Sequence, residues 1–309
     1  MAAHYIRITL LAELVAYGAI AVWAHLTQGW SYAHLAAGAL AASIVSRLLF
    51  VIAGVMISNS ARSPRAREHR IGPLRALVLL LREFRSVLAT NYWLFPWDRF
   101  ALRPDAPAKA ASGIPVLFVH GYFSNRGYFH SIVPGLEKRG VAPIFTPNFP
   151  SAFNTIETFA DALHAEIERV SAATAQPQLI LVCHSMGGLA ARTYLCDHGA
   201  ARVRKLITIG TPHHGTVIAH FGAGVNAVQM RPGSDYLLAL HEREGPGGPK
   251  VPTTSIYTPH DNLVAPQNSS LLPNARNIAI PGRGHVDILE SKRLLELLVE
   301  ELRAAGVGA

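Results

Sequence analysis

A serine sits in Leu179-Ile-Leu-Val-Cys-His-Ser-Met-Gly-Gly188, between an apolar run and a stretch that reads as a helix. A sharp strand-to-helix turn would lift the Ser185 hydroxyl clear of a sheet and aim a helix N-terminus at it. Gly187 and Gly188 would let neighbouring elements approach closely. The pattern is the G-x-S-x-G turn, with Cys183 in place of the first glycine. A small side chain can serve there, so we read a variant and not a loss. A helix-capping serine is the plainer alternative. The strand, the helix and the partner residues below favour a nucleophile.

Serine is a weak nucleophile and needs a base within hydrogen-bond reach. Fifteen histidines are available. His285, in Ile280-Pro-Gly-Arg-Gly-His-Val-Asp-Ile, is late in the chain and follows an apolar strand. The glycines beside it leave room for an imidazole to reach the serine. The imidazole in turn needs an acid to fix its tautomer and stabilise the imidazolium. Asp261, in Ser255-Ile-Tyr-Thr-Pro-His-Asp-Asn-Leu-Val, lies just past another strand. Asp287 is too close to His285 in sequence, and Asp235 falls in a loop-and-helix segment. A developing oxyanion needs backbone N–H donors. Met186, the residue after the nucleophile, and Tyr122, after the strand ending Val119-His120-Gly121, stand in the right positions. Tyr122, Phe123 and His184 are expected to line the substrate pocket, core packing of that loop being the alternative.

The elements that must position these residues are legible from residue 114 onward. Strands are expected over Pro115–His120, Ala142–Thr146, Leu179–Cys183, Lys205–Ile209, Thr253–Tyr257 and Asn277–Ile280. Helices are expected over Tyr128–Arg139, Thr155–Ala172 and Met186–His198. Fully apolar strands alternating with helices imply an α/β class with a mostly parallel sheet covered on both faces. The stretch Gly210–Pro252 is too long for a plain connection. A cap or lid is expected at about 216–250, with apolar Val217–Val228 over the pocket or, alternatively, a rigid cap helix.

His120-Gly121-Tyr122, His184-Ser-Met-Gly-Gly188, Thr211-Pro-His-His-Gly-Thr216 and Met230-Arg-Pro-Gly-Ser-Asp-Tyr-Leu237 together resemble the bacterial lipase and esterase families of the α/β-hydrolase superfamily. With Asp261 and His285 the likeness spans about 115–290, and the order serine, aspartate, histidine is the chain order of that superfamily. The resemblance implies carboxylic ester hydrolysis through an acyl-enzyme, without cofactor. It carries His213 and His214 over as motif members that shape a loop. Some bacterial lipases hold a structural calcium. No convincing aspartate pair for it stands here, and no metal is expected.

The likeness does not reach the first hundred residues. Half of the 309 residues are hydrophobic and only 16% are charged, against about a quarter in average soluble domains. Ile8–Leu26 and Leu35–Ile57 are apolar runs broken only by Glu13 and Arg47, and each is long enough to span a bilayer. A cleaved signal peptide fits poorly, because only Arg7 precedes the first run as a basic residue and a second run follows directly. A buried soluble helical pair is the bland alternative. With the turn near Trp30, Glu13 and Arg47 each lie 17 positions from it. A hairpin would place them at similar depth, where they either pair or snorkel separately. We expect a pair.

The net charge of +8 is concentrated after the second run, at Arg62, Arg65, Arg67, Arg70 and Arg75. That is a cytoplasmic membrane flank, so both termini and the catalytic domain are placed on the cytoplasmic side of the inner membrane. The location also argues against nucleic-acid binding. A third helix is expected from Pro73, with Leu74–Phe95 carrying Arg75, Arg82, Glu83 and Arg85. It suits the membrane surface, with Tyr92, Trp93 and Trp97 at its far end, or packing on the catalytic domain. Residues 104–113 read as a linker. Cys183 precedes Ser185 in the strand, and Cys196 lies eleven residues beyond Ser185, about 16 Å along the helix at ~1.5 Å per residue, too far for a disulfide.

The organisation expected is therefore a transmembrane hairpin over 1–60, a basic juxtamembrane segment over 61–113 and an α/β-hydrolase domain over 114–309. The activity expected is that of a membrane-anchored esterase or lipase acting on an ester or lipid substrate. A thioesterase, acyltransferase or polyester hydrolase would use the same three residues. A non-catalytic membrane adaptor has no need of all three.

Overall fold

Two long apolar helices open the chain in the computed structural model, which describes residues 2–105, 113–150 and 152–307. Helix α1 runs over Ala2–Gln28 and α2 over Tyr32–Ser60. Gly29, with φ +67°, turns the chain between them, and Ser31 caps α2 by accepting from His34 N–H. Both helices are long and apolar enough to cross a membrane, and little of either is buried. Leu14, Val15, Trp23, Leu40 and Leu49 point outward. Arg47 Nη1 meets Glu13 Oε1 at 2.6 Å, so the two charges do pair. Ser43 Oγ bonds both Glu13 and Tyr92, and the guanidinium lies 5.0 Å from the Tyr92 ring.

Helix α3, Pro73–Ala89, begins at the proline as expected. One π-helical turn, Thr90–Leu94, continues it, and α4 follows at Asp98–Ala101. Its two faces divide the work. Leu79, Glu83, Ser86 and Val87 are buried, whereas Leu74, Leu77, Val78 and Leu81 form an exposed apolar stripe. Glu83, grouped by the sequence pattern with the solvated arginines, is instead fully buried. Of the linker expected at 104–113, residues 106–112 lie outside the described residues.

The remaining elements alternate as the apolar runs predicted. They are β1 (Val116–Val119), α5 (Ile132–Glu137), β2 (Ile144–Phe145), α6 (Ile156–Thr174), β3 (Leu179–His184), α7 (Met186–His198) and β4 (Val203–Ile209). Then come α8 (Val225–Gln229), α9 (Asp235–Glu244), β5 (Thr253–Tyr257), β6 (Arg276–Ala279) and α10 (Lys292–Ala304). The six strands form one sheet in the order β2-β1-β3-β4-β5-β6, parallel throughout. Side chains alternate across a strand, and here they split between two cores. Leu117, Val119, Leu181 and Cys183 pack with Leu163, Ile167 and Leu189 of α6 and α7. Val116, Phe118, Ile180 and Val182 pack with Ile132 and Leu136 of α5 and Leu294 and Leu298 of α10. Helices thus cover both faces, and the C-terminal ends of the central strands open on one edge of the sheet.

Candidate active site

Ser185 sits between the last residue of β3 and the first of α7, with φ 56° and ψ −131°. A non-glycine residue there is strained and persists only where its surroundings over-determine it. The neighbours do so here. Ser185 N–H donates to Ile209 O at 2.9 Å, and Thr211 Oγ1 donates to Ser185 O at 2.8 Å. A Cβ on Gly121 would lie 2.7 Å from Ser185 Cβ, and one on Gly187 would lie 2.6 Å from His120 O. Only glycine lets the loop after β1 and the start of α7 close on the serine this tightly.

His285 lies beyond β6 and Asp261 beyond β5, and the fold joins them. His285 Nδ1 donates to Asp261 Oδ2 at 2.9 Å, and both side chains are buried. The other Asp261 oxygen accepts from Leu263 and Val264 N–H at 2.8 and 2.7 Å, fixing the carboxylate plane. His285 N–H donates to Asn262 Oδ1 at 3.0 Å. Burial works to lower the His285 pKa, but the Asp261 carboxylate, by charge and hydrogen bond, and Glu83 outweigh it and raise it. The end of β4 is the meeting point. Ile209 O bonds Ser185, and a Cβ on the next residue, Gly210, would lie 3.4 Å from both His285 and Asp261. The His184 ring, next to the serine in sequence, is 4.8 Å from the His285 ring.

Met186 opens α7, and Tyr122 follows Gly121 in the loop packed on the serine. The Tyr122 hydroxyl donates to Ala223 O at 2.8 Å and accepts from Ala223 N–H, tying this loop to the segment before α8. Phe123, at φ 47°, stacks near Phe153 (5.6 Å) and Tyr5 of α1 (6.5 Å). His184 is fully buried, with Nε2 bonded to His285 O, so it underlies the histidine and does not front the cleft. Burial, followed by the nearby His285 charge, holds its pKa well below the usual imidazole value. His213 is likewise buried, between Thr208 Oγ1 and the Arg192 guanidinium, and His214 bonds Leu271 O. Residues 210–252 fold into a 3-10 turn (Val217–Phe221), α8 and α9, leaving Phe221, Val225 and Val228 exposed. Among the described residues, no group of three or more His, Cys, Asp or Glu could hold a metal ion.

The sequence pattern gave no sign of four residues around this centre: Ser58, Glu83, Tyr128 and Gln267. Ser58 and Gln267 both donate to Asp261 O, Glu83 accepts from the backbone beyond His285, and the Tyr128 ring lies 5.0 Å from His184. Asn262 was visible only as the neighbour of Asp261.

Residues 114–223 match the alpha/beta hydrolase fold family. A triacylglycerol lipase of Pseudarthrobacter phenanthrenivorans is 34% identical over 125 residues, which is 38% of this chain and 38% of that protein. One of Burkholderia plantarii is 34% identical over 125 residues, 38% of this chain and 34% of that protein. The chain thus spans well under half the length of these relatives. Aspergillus fumigatus lipase B superposes with a TM-score of 0.54 at 21% identity, over 64% of this chain and 54% of that one. Mature Bacillus licheniformis lipase BlEst2 superposes at 0.55 and 17% identity, over 65% of this chain and 94% of that one. The chain has the α/β-hydrolase fold. Over the matched stretches it is similar to bacterial triacylglycerol lipases.

Proposed function

We propose that this protein is a membrane-anchored serine hydrolase that cleaves carboxylic esters through an acyl-enzyme on Ser185. The observation that carries the reading is the strained Ser185 elbow beside the buried His285–Asp261 pair. In this reading Ser185 Oγ attacks the ester carbonyl carbon while His285 Nε2 takes its proton. Asp261 holds the imidazole in the tautomer with Nδ1–H and stabilises the imidazolium. The oxyanion receives the N–H groups of Met186 and Tyr122. The carbonyl re-forms, the alcohol leaves with the proton from His285, and water then releases the acid by the same steps.

Lipid-like esters fit the setting better than polar ones. Phe123 and Phe153 flank the loop packed on Ser185, and Phe221, Val225 and Val228 expose apolar surface beside it. The start of α1 touches Phe123 and Phe153, and the end of α2 touches Asp261. Both termini of the hairpin therefore lie at the catalytic domain, with the Gly29 turn at the far end. The arginines after α2 support a cytoplasmic placement. A nitrophenyl ester series of increasing chain length tests the reading. Ser185→Ala should lower turnover at least ~10³-fold on every ester, and unchanged turnover overturns it. Long-chain preference means lipase, short-chain preference esterase. Product in place of free acid when an alcohol or thiol is added means acyl transfer.

A further inference from the structure

The loops bearing Asp261 and His285 are held by residues far away in sequence, on the N-terminal helices. On α2, Ser58 Oγ donates to Asp261 O at 2.6 Å, and Gln267 Nε2 donates to both Ser58 Oγ and Asp261 O. A Cβ on Gly54 would lie 3.1 Å from Asn262 O, so the α2 backbone seats directly on the next residue. On α3, the Glu83 carboxylate accepts from Val286 N–H at 3.1 Å and from Asp287 N–H at 2.8 Å. Gly284 has no side chain at the point where a Cβ would run into the Glu83 carboxyl. Val286 itself packs between Val51 of α2 and Val87 of α3. The residues on both sides of His285 are thus clamped by one buried carboxylate and two helices.

A fully buried carboxylate is costly unless its oxygens are satisfied. A structural role alone, accepting from two buried backbone N–H groups, is met as well by the oxygen of a neutral amide, so a charge-bearing group against the histidine loop calls for another account. We infer that Glu83 is a positioning residue for His285, holding the histidine loop by two backbone hydrogen bonds and supplying a second negative charge, beside Asp261, to the imidazolium. This rests on Ser185, Asp261 and His285 carrying the hydrolysis. The groups that face this arrangement are Asp261 and His285 on their loops, and Asp287 with its partner Arg283. Tyr128 faces it from the 3-10 turn after β1, and Glu290 with Arg85 pairs along α3. Burial pushes the Glu83 carboxyl up to about 7, opposed by the Asp287 and Val286 N–H groups and by His285. Its charge is therefore present above that pH.

The sign follows. A negative Glu83 raises the proton affinity of His285, and the free enzyme needs His285 neutral as base. The acidic limb of kcat/KM therefore lies higher with Glu83 than without it. Glu83→Gln should lower kcat about 10- to 100-fold, as loss of a charge that stabilises the imidazolium does, with KM nearly unchanged. It should also move the acidic limb down by roughly one pH unit. Gly284→Ala, which displaces the same carboxyl, should move the limb the same way. Ser86→Ala, which removes a hydroxyl bonded to Glu290, should change Tm without moving the limb. Each variant is checked for folding by thermal melting of the full chain in detergent. If Glu83→Gln does not fold, the limb of Gly284→Ala decides. An unmoved limb in the folded variants overturns the role of Glu83. Activity that survives Ser185→Ala overturns the triad itself, a distinct result.

Discussion

Ser185 and His285 make their case through backbone geometry as much as through side chains. A left-handed serine costs of order 1–3 kcal/mol, and the fold offsets it with bonds from Ile209 and Thr211. The raised pKa of His285 has a kinetic consequence. The base is neutral only above its pKa, so the acidic limb of kcat/KM should fall above 6.5, the ordinary imidazole value. Asp261→Asn removes the charge that most opposes the effect of burial and leaves the wrong tautomer. It should lower kcat by ~10³- to 10⁴-fold and move the limb to lower pH, as a pH–rate profile reads. A limb that stays in place would mean that another carboxylate holds the imidazole. A second buried charge bears on stability. Arg192 is fully buried and bonds Glu244 twice, at 2.9 and 2.5 Å, and His213 O at 3.1 Å. Glu244→Ala would leave that guanidinium unpaired, a loss of ~3–5 kcal/mol, visible as a lower denaturant midpoint with the slope retained.

Elements set what can reach the serine. The segment from Val217 through α8 exposes Phe221, Val225 and Val228 above a loop that Tyr122 ties to Ala223. Each apolar side chain covered by an acyl chain is worth ~1.5–3 kcal/mol. Changing Val225 and Val228 to Ser should therefore raise KM for long acyl esters about tenfold or more, with acetyl ester KM unchanged. Equal effects on both would mean the segment is a rigid cap remote from the acyl group. At this scale the sheet was legible in the sequence. All six strands fall where apolar runs predicted them, because strands buried on both faces leave a continuous signal. The Asp261–His285 pairing and the Ser185 turn were legible too, since each of the three residues follows a strand and the turn chemistry around Ser185 is local. Glu83 was not. Its partners lie 203 and 204 residues away, and periodicity groups it with Arg82 and Arg85, which face out. His184 was placed at the pocket wall by proximity to Ser185, but the alternation of β3 turns it inward beneath His285.

In the proposed anchoring, the whole molecule joins two solvents. Its hairpin presents apolar side chains over helices of 27 and 29 residues, each about 40 Å long at ~1.5 Å per residue, longer than the ~30 Å hydrocarbon core. The surplus length is what reaches the α/β domain: Tyr5 at the start of α1, Gly54 and Ser58 at the end of α2. Between that docked end and the turn, the Glu13–Arg47 pair is the one pairing of unlike charges joining α1 and α2 among the described residues. An isolated charge near a helix centre costs ~2.5–3.5 kcal/mol, and its partner recovers part of that only if the two helices pack in register. Arg47→Glu alone sets two carboxylates together, and Glu13→Arg alone sets two guanidinium groups together. Each should reduce the carbonate-resistant membrane fraction. The exchanged double variant restores opposite charges at the same depth, and Ser43 remains to bond the carboxylate. It should recover most of the lost fraction, falling short only by the Tyr92 ring contact that Arg47 makes. A double variant no better than either single one would mean that each charge reaches the interface by itself, and that register between α1 and α2 is set by apolar packing alone.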